Sequence, residues 1–205
     1  MAASKTAQIR AVTTRIISQL QDGYLAGTPN AKANIAAFRR QANRHLGESP
    51  ETWAVFSESL PADLVGKGEN PSPAEKAIFT ALTLYAVHQQ SKTEPMHVPS
   101  QPPESGTFTA ENGLGTAVRK MATITDTELF DSSLYRRFVS IVQSQTFEAT
   151  VHHLRSMIQL LRTESIPLDY GLLAKDLYRF QFPDSKKSVQ LSWARQLYRT
   201  ESPTE

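Results

Sequence analysis

The sequence predicts an all-α protein built as two small helical bundles joined by a proline-rich segment, and three observations carry that prediction. Apolar residues recur every three or four positions through most of the chain, so each segment has one stripe that needs a partner. Hydroxyl-proline pairs at Thr28-Pro29, Ser49-Pro50 and Ser72-Pro73 mark helix starts. There the hydroxyl accepts from an otherwise orphaned N–H and proline presets φ at the first helical position. Nowhere does the two-residue alternation of a half-buried strand persist. The expected division is an N-terminal bundle over 1–91, a proline-rich linker or loop over 92–112, and a C-terminal bundle over 113–205.

Residues 5 to 22 form the first amphipathic helix, with Ile9, Val12, Ile16, Ile17 and Leu20 near one face and Gly23 as its stop. Arg10, Arg15 and the low acidity also give this stretch the composition of a mitochondrial presequence, the alternative to a first helix of the fold. On the helix opened by Pro29, Ala31, Ile35, Phe38, Ala42 and Leu46 keep to one side. Arg40 and Arg44 project opposite, with Arg39 and Lys32 on a flank. A short helix carrying Trp53 and Phe56 follows Pro50. From Pro73 to about Gln90 apolar residues occupy much of the circumference, which makes this the most buried helix of the first half, and Ser72 with Glu75 forms a capping box. Four prolines in residues 91–112 argue for a flexible linker or a large exposed loop.

Beyond it, LGTAVRKMA reads as a helix with Leu114, Val118 and Met121 inward and Arg119 and Lys120 displayed together. A helical hairpin follows: Leu134, Phe138 and Ile141 make one stripe, and Phe147, Val151, Leu154, Ile158 and Leu161 the other. Arg136 points away from the first stripe, and His152, Arg155, Gln159 and Arg162 form one polar row beside the second. Asp169 caps a helix reaching Phe180, Pro183 breaks it, and Asp184 caps a last helix with Val189, Trp193 and Leu197 inward. Lys186 and Lys187 lie in its first turn, and Ser188, Ser192, Arg195 and Arg199 share its outer side.

The formal charge of +2 conceals an uneven distribution. Residues 1–46 hold seven Lys or Arg against Asp22 alone, residues 47–112 three against nine acids, and residues 113–200 twelve against eight. A basic head and tail around an acidic middle point to a polyanionic partner. The chain has no cysteine, which excludes a disulfide framework and cysteine-ligated zinc. No apolar run approaches the ~20 residues that cross a bilayer, so a cytoplasmic protein without membrane contact is expected.

Enzyme chemistry is missing its usual parts: no G-x-S-x-G, Walker loop, H-E-x-x-H or cysteine nucleophile occurs. Gly113-Leu114-Gly115 lacks the third glycine of a dinucleotide loop and reads as a linker end and helix start. His152 and His153 are about 100° apart on a helix, poor geometry for a shared metal. Asp126, Glu128 and Asp131 stand where helix starts are expected and are explained by capping. No cofactor or metal is expected. Basic residues on several helices, with many Gln, Ser and Thr, suit recognition of a phosphate backbone. Tyr135, Tyr178 and Tyr198 could stack on bases, although aromatics at helical spacing usually serve a core.

The strings AAFRRQANRHLG, AEKAIFTALTLYAVH, LGTAVRKMA, SLYRRFVSIVQS, HLRSMIQLLRTESIPLDYGLLAKDLYRFQFPD and KKSVQLSWARQLYR, in that order across about residues 29 to 200, resemble the CasB family. That family is the small subunit of the type I-E CRISPR Cascade complex. The resemblance implies a non-enzymatic protein of two helical bundles, present as two copies in Cascade beside the crRNA-binding backbone. It also implies basic patches that contact the target and displaced non-target DNA strands and stabilise the R-loop, while a separate helicase-nuclease cleaves. Carried onto this chain, the phosphate-neutralising positions are Arg39, Arg40, Arg119, Lys120, Arg136, Arg137, Arg155, Lys186, Lys187 and Arg195. Gln143 and Thr146 stand where some relatives carry further arginines. The competing expectation is a helical protein-interaction scaffold whose cations are solvated surface and whose acidic middle is the docking face.

Overall fold

A computed structural model describes residues 4–41, 46, 50–100, 111–126, 128–130 and 132–198. Among them the helices are α1 (Lys5–Leu25), α2 (Pro29–Arg40), α3 (Pro50–Ser57), α4 (Pro73–Gln89), α5 (Leu114–Ile124), α6 (Ser133–Gln143), α7 (Phe147–Thr163), α8 (Tyr170–Phe180) and α9 (Pro183–Tyr198). No β-strand occurs among the described residues; an isolated parallel bridge joins His97 to Leu168. The fold is therefore all-α, as the periodicity requires.

Local signals start most helices where the sequence places them. The Ser72 hydroxyl accepts from Glu75 N–H at 3.1 Å while the Glu75 carboxylate accepts from Ser72 N–H at 2.7 Å, the reciprocal capping box. Ser4, Ser132, Thr146 and Asp169 cap α1, α6, α7 and α8 in the same one-sided way. Thr28 occupies the N-cap of α2 but its hydroxyl donates to Gly23 O instead, tying the α1–α2 turn. Ser49, Ala42, Arg44, Asp131 and Arg199 lie outside the described residues. Asp184, expected as a cap, instead sits inside the first turn of α9, because proline tolerates a first-turn position and Pro183 opens the helix.

α4 is the centre: Ala74 and every residue from Ala77 to Gln89 are buried, and it packs on α1, α2, α7 and α8. Phe79 stands edge-on to Phe38 of α2 and Phe56 of α3, with centroids 6.1 and 5.6 Å apart. α1 buries Ile9, Val12, Ile16, Ile17 and Leu20 against its neighbours, so this stretch serves the fold as its first helix. One cluster of buried apolar side chains runs from Ile9 to Leu197, because α8 lies on both α1 and α4. Close helix approach rests on glycines. A Cβ on Gly115 would run into Trp193 O of α9, and one on Gly171 into Thr14 Oγ1 of α1.

Residues 92–100, expected as part of a flexible linker or exposed loop, are instead held down by hydrogen bonds. Leu168 N–H donates to Met96 O (3.0 Å) and Val98 N–H to Leu168 O (3.1 Å). The Gln21 amide both accepts from His97 N–H (2.8 Å) and donates to His97 O (3.0 Å). Asp169 Oδ2 accepts from Arg10 Nη2 (2.8 Å) and Ser100 N–H (3.0 Å). Proline content correctly marks missing helix, but partners from α1 and from residues 168–169 just before α8 satisfy the backbone and allow Met96, His97 and Ser100 to be buried.

Candidate nucleic-acid interface

The basic positions fall on five helices and differ in how free their charges are. Arg136 and Arg137 stand side by side on α6, both exposed, because Leu134, Phe138 and Ile141 claim the opposite face for the core. Lys120 on α5 and Lys187 and Arg195 on α9 are exposed as well. Among the described residues no carboxylate pairs with any of these five; the ion pairs found there are Arg10–Asp169 and Lys175–Asp176.

The other positions are more engaged. Lys186 donates to Ser144 O at 2.7 Å, capping the C-terminus of α6, and its ammonium stands 4.8 Å from the Phe180 ring centroid. That ammonium is committed inside the fold rather than displayed. Arg119, expected beside Lys120 on the surface, is partly buried, and its Nη1 is enclosed without a hydrogen-bond partner among the described residues. Gly115, one turn before it on α5, packs against Trp193 and Gln196 of α9. Arg39 is half-buried and Arg40 exposed in the last turn of α2, where cations also complement the helix dipole. Arg155 is half-buried on α7 and makes contacts of its own. In its row, Arg162 Nη1 donates to Gln90 Oε1 at 2.9 Å, so one end of the row belongs to the α4–α7 contact.

The arrangement brings some of these residues together. The three-residue connection 144–146 folds α7 back along α6, which puts Arg155 at about the height of Arg136 and Arg137. α9 runs antiparallel to α6. Lys186 and Gln190 reach Ser144 O and Val142 O at the C-terminal end of α6, and the Tyr198 hydroxyl lies 2.7 Å from that of Tyr135 at the other end. Arg195 therefore lies toward the Arg136–Arg137 end. Lys186 and Lys187 sit at the far end, since Lys186 to Tyr198 spans about 18 Å of helix. Arg39 and Arg40 belong to α2, whose packing partners are α1, α3 and α4. Helical periodicity places these cations on helix faces but does not draw attention to Phe130, which lies in the turn before α6 and in no apolar stripe. Its neighbour Leu129 packs against the core while Phe130 itself is 59% exposed.

The described residues contain no group of three or more His, Asp or Glu placed to hold a metal ion, and none of their helices is long and apolar enough to cross a membrane. The strongly shifted titratable groups lie in the core, away from the basic surface. Burial, with Lys92 adding to it, lowers His88 to about 3, and burial raises the Asp176 carboxyl to about 6. His88 Nδ1 bonds Tyr170 Oη at 2.9 Å, and Asp176 Oδ2 accepts from Trp193 Nε1 at 2.9 Å.

Comparison with known proteins gives this arrangement its family. No curated protein matches the chain by sequence. Among solved structures it is similar to CasB from Thermobifida fusca, with 32% identity, TM-score 0.71, and 94% of this chain and 98% of that one covered. It also has the fold of CasB from Thermus thermophilus, at 21% identity and TM-score 0.62 over 96% of this chain and 99% of that one. The same fold recurs in a chain of a CRISPR RNA-guided surveillance complex, at 18% identity and TM-score 0.62 over 92% and 95%. The family model for CRISPR-associated protein Cse2 matches residues 34–198, and with that span the chain belongs to the Cse2, or CasB, family.

Proposed function

We propose that this protein is the non-catalytic small subunit of a type I-E Cascade complex, where it binds DNA strands through exposed cations and stabilises the crRNA-guided R-loop. The observation that carries the reading is that Lys120, Arg136, Arg137, Lys187 and Arg195 are exposed and have no carboxylate partner among the described residues. Unpaired surface cations release DNA counterions when they meet phosphate, giving salt-dependent affinity without sequence reading. The family supports it, as does the likeness of the fold to a chain from a surveillance complex. Alone, such contacts give dissociation constants of about 10⁻⁴ to 10⁻⁶ M at physiological salt. Held beside an R-loop by other Cascade subunits and a second copy of itself, the same cations act at high effective concentration on a nearly balanced strand exchange.

The test is a salt titration of single-stranded DNA binding by the full chain and by reconstituted Cascade. Arg136→Ala with Arg137→Ala removes two phosphate contacts and should flatten the slope of log K against log salt by about 1.4. Binding that is absent or indifferent to salt in both settings overturns the reading. The scaffold alternative has one observation in its favour: Trp53 and Val65, 44% and 41% exposed, lie in the acidic middle of the chain. It predicts that charge reversals at Arg40 and Arg136 leave complex function intact.

A further inference from the structure

Phe130, Tyr135 and Tyr198 form an aromatic cluster where the N-terminus of α6 meets the C-terminus of α9. The Phe130 and Tyr198 rings lie nearly parallel, 8° apart in plane and 5.6 Å between centroids. Tyr135 stands edge-on to Phe130 at 5.5 Å, and its hydroxyl bonds that of Tyr198 at 2.7 Å. Phe130 is 59% exposed and Tyr198 49%, whereas Phe38, Tyr85, Tyr170 and Trp193 are almost wholly buried. Phe130 and Tyr198 are therefore surface that the core does not use, while Tyr135 packs partly against the core. Because the two hydroxyls satisfy each other, what the cluster offers a partner is chiefly ring face.

Cations flank it. Arg136 follows Tyr135 on α6, and Arg195 precedes Tyr198 by one turn of α9, both exposed and without a carboxylate partner among the described residues, whereas Arg137 lies about 200° round α6 from Tyr135. Asp126, Glu128 and Asp131 lie within four residues of Phe130 in sequence, so this end offers phosphate contacts through placed arginines and not through an excess of positive charge. Ring faces beside guanidinium groups match a ligand that carries flat apolar groups and phosphates together. A duplex hides its base faces in the stack, while a single strand leaves them free.

We propose that Phe130 and Tyr198 form a stacking platform for an unpaired base of single-stranded DNA, with Arg136 and Arg195 taking the neighbouring phosphates. This rests on the reading that the basic faces bind DNA and names the form of strand they take. The experiment compares an oligothymidylate with an abasic strand of the same length and charge, titrated against the full chain at low salt. Wild type should bind the base-bearing strand about tenfold more tightly. Phe130→Ala with Tyr198→Ala should remove that preference and leave the salt slope alone, and Tyr198→Phe should keep it. Phe130 is 59% and Tyr198 49% exposed, so unchanged helicity and melting serve as the control for folding.

Equal affinity of wild type for the two strands overturns the platform while leaving phosphate binding intact. Loss of salt-dependent binding to both strands removes the underlying reading as well. If the ring variants bind both strands as wild type does but fail to enter Cascade or to self-associate, the cluster is a protein contact and the proposal falls.

Discussion

Replacing Asp169 by alanine should be the most informative single perturbation of this fold. The carboxylate is fully buried and serves three donors on three segments: Arg10 Nη2 at 2.8 Å, Ser100 N–H at 3.0 Å and Leu172 N–H at 2.8 Å. Loss of the α8 N-cap costs about 1 kcal/mol. The buried Ser100 N–H, left without an acceptor, adds about 1–3 kcal/mol. The Arg10 side chain is 33% exposed and can turn toward water, so its share is small. The total, about 3 kcal/mol, sits at the low end for breaking a buried pair and lowers Tm by about 6–12 °C in a chain of this length. Urea and thermal unfolding would measure it. Asp169→Asn keeps an oxygen for the cap but turns an amide toward two donors, so it should recover only part of the loss. Arg10→Met combined with Asp169→Ala should cost less than the sum of the two, with a coupling of about 0.5–1 kcal/mol. A melting shift below about 3 °C for Asp169→Ala, or strict additivity in the cycle, would refute the three-donor account.

Three further outcomes follow from the packing and the titrating groups. Gly115→Ala should destabilise by at least about 1–3 kcal/mol, since its Cβ would press on the Trp193 carbonyl and come within 2.8 Å of Gln196 Cβ, forcing α5 from α9; wild-type melting would contradict this. Lys186→Met should lower stability by about 1 kcal/mol by uncapping α6 and barely change DNA affinity, whereas Lys187→Ala should weaken DNA binding with no change in Tm. The pH profile separates two buried groups. Asp176, raised to about 6 by burial, holds a proton in the folded state that an unfolded carboxyl has lost, so its contribution makes stability fall as pH rises from about 4 to about 6. His88, lowered to about 3 by burial, contributes stability that is lost as pH falls below about 6.5, and His97, also lowered by burial, acts in the same direction. The two slopes oppose each other in the native protein. Asp176→Asn keeps an acceptor for Trp193, should raise stability at pH 7, and should steepen the loss between about pH 6 and 4; urea unfolding across that range with an unchanged profile would contradict the assignment.

Much of the helical layout is legible in the residues themselves, because a cap or an amphipathic stripe involves neighbours three or four positions apart. The Ser72–Glu75 box, the Asp169 cap and the two stripes of the α6–α7 hairpin are of this kind. The departures occur where a distant segment takes part. Pro95, Pro99 and their neighbours read as a loose connection, yet Gln21, Leu168 and Asp169 supply the hydrogen bonds that hold residues 96–100 in place. Asp184 reads as a cap because proline usually ends a helix, but Phe182 O accepts from Ser185 and Lys186 N–H, so the turn at Pro183 is already the start of α9.

The candidate interface divides along the same line. By itself the sequence determined the all-α class, the buried stripes and the helix faces that carry cations, since each follows from a 3.6-residue period acting within one segment. Only the tertiary structure decided which of those cations stay available. Lys186 finds its acceptor 42 residues away at Ser144, and Nη1 of Arg119 is enclosed. The antiparallel course of α9 along α6 likewise carries Tyr198 to Phe130 and Tyr135. A long side chain's freedom depends on what the rest of the fold places within its reach, and no local pattern records that.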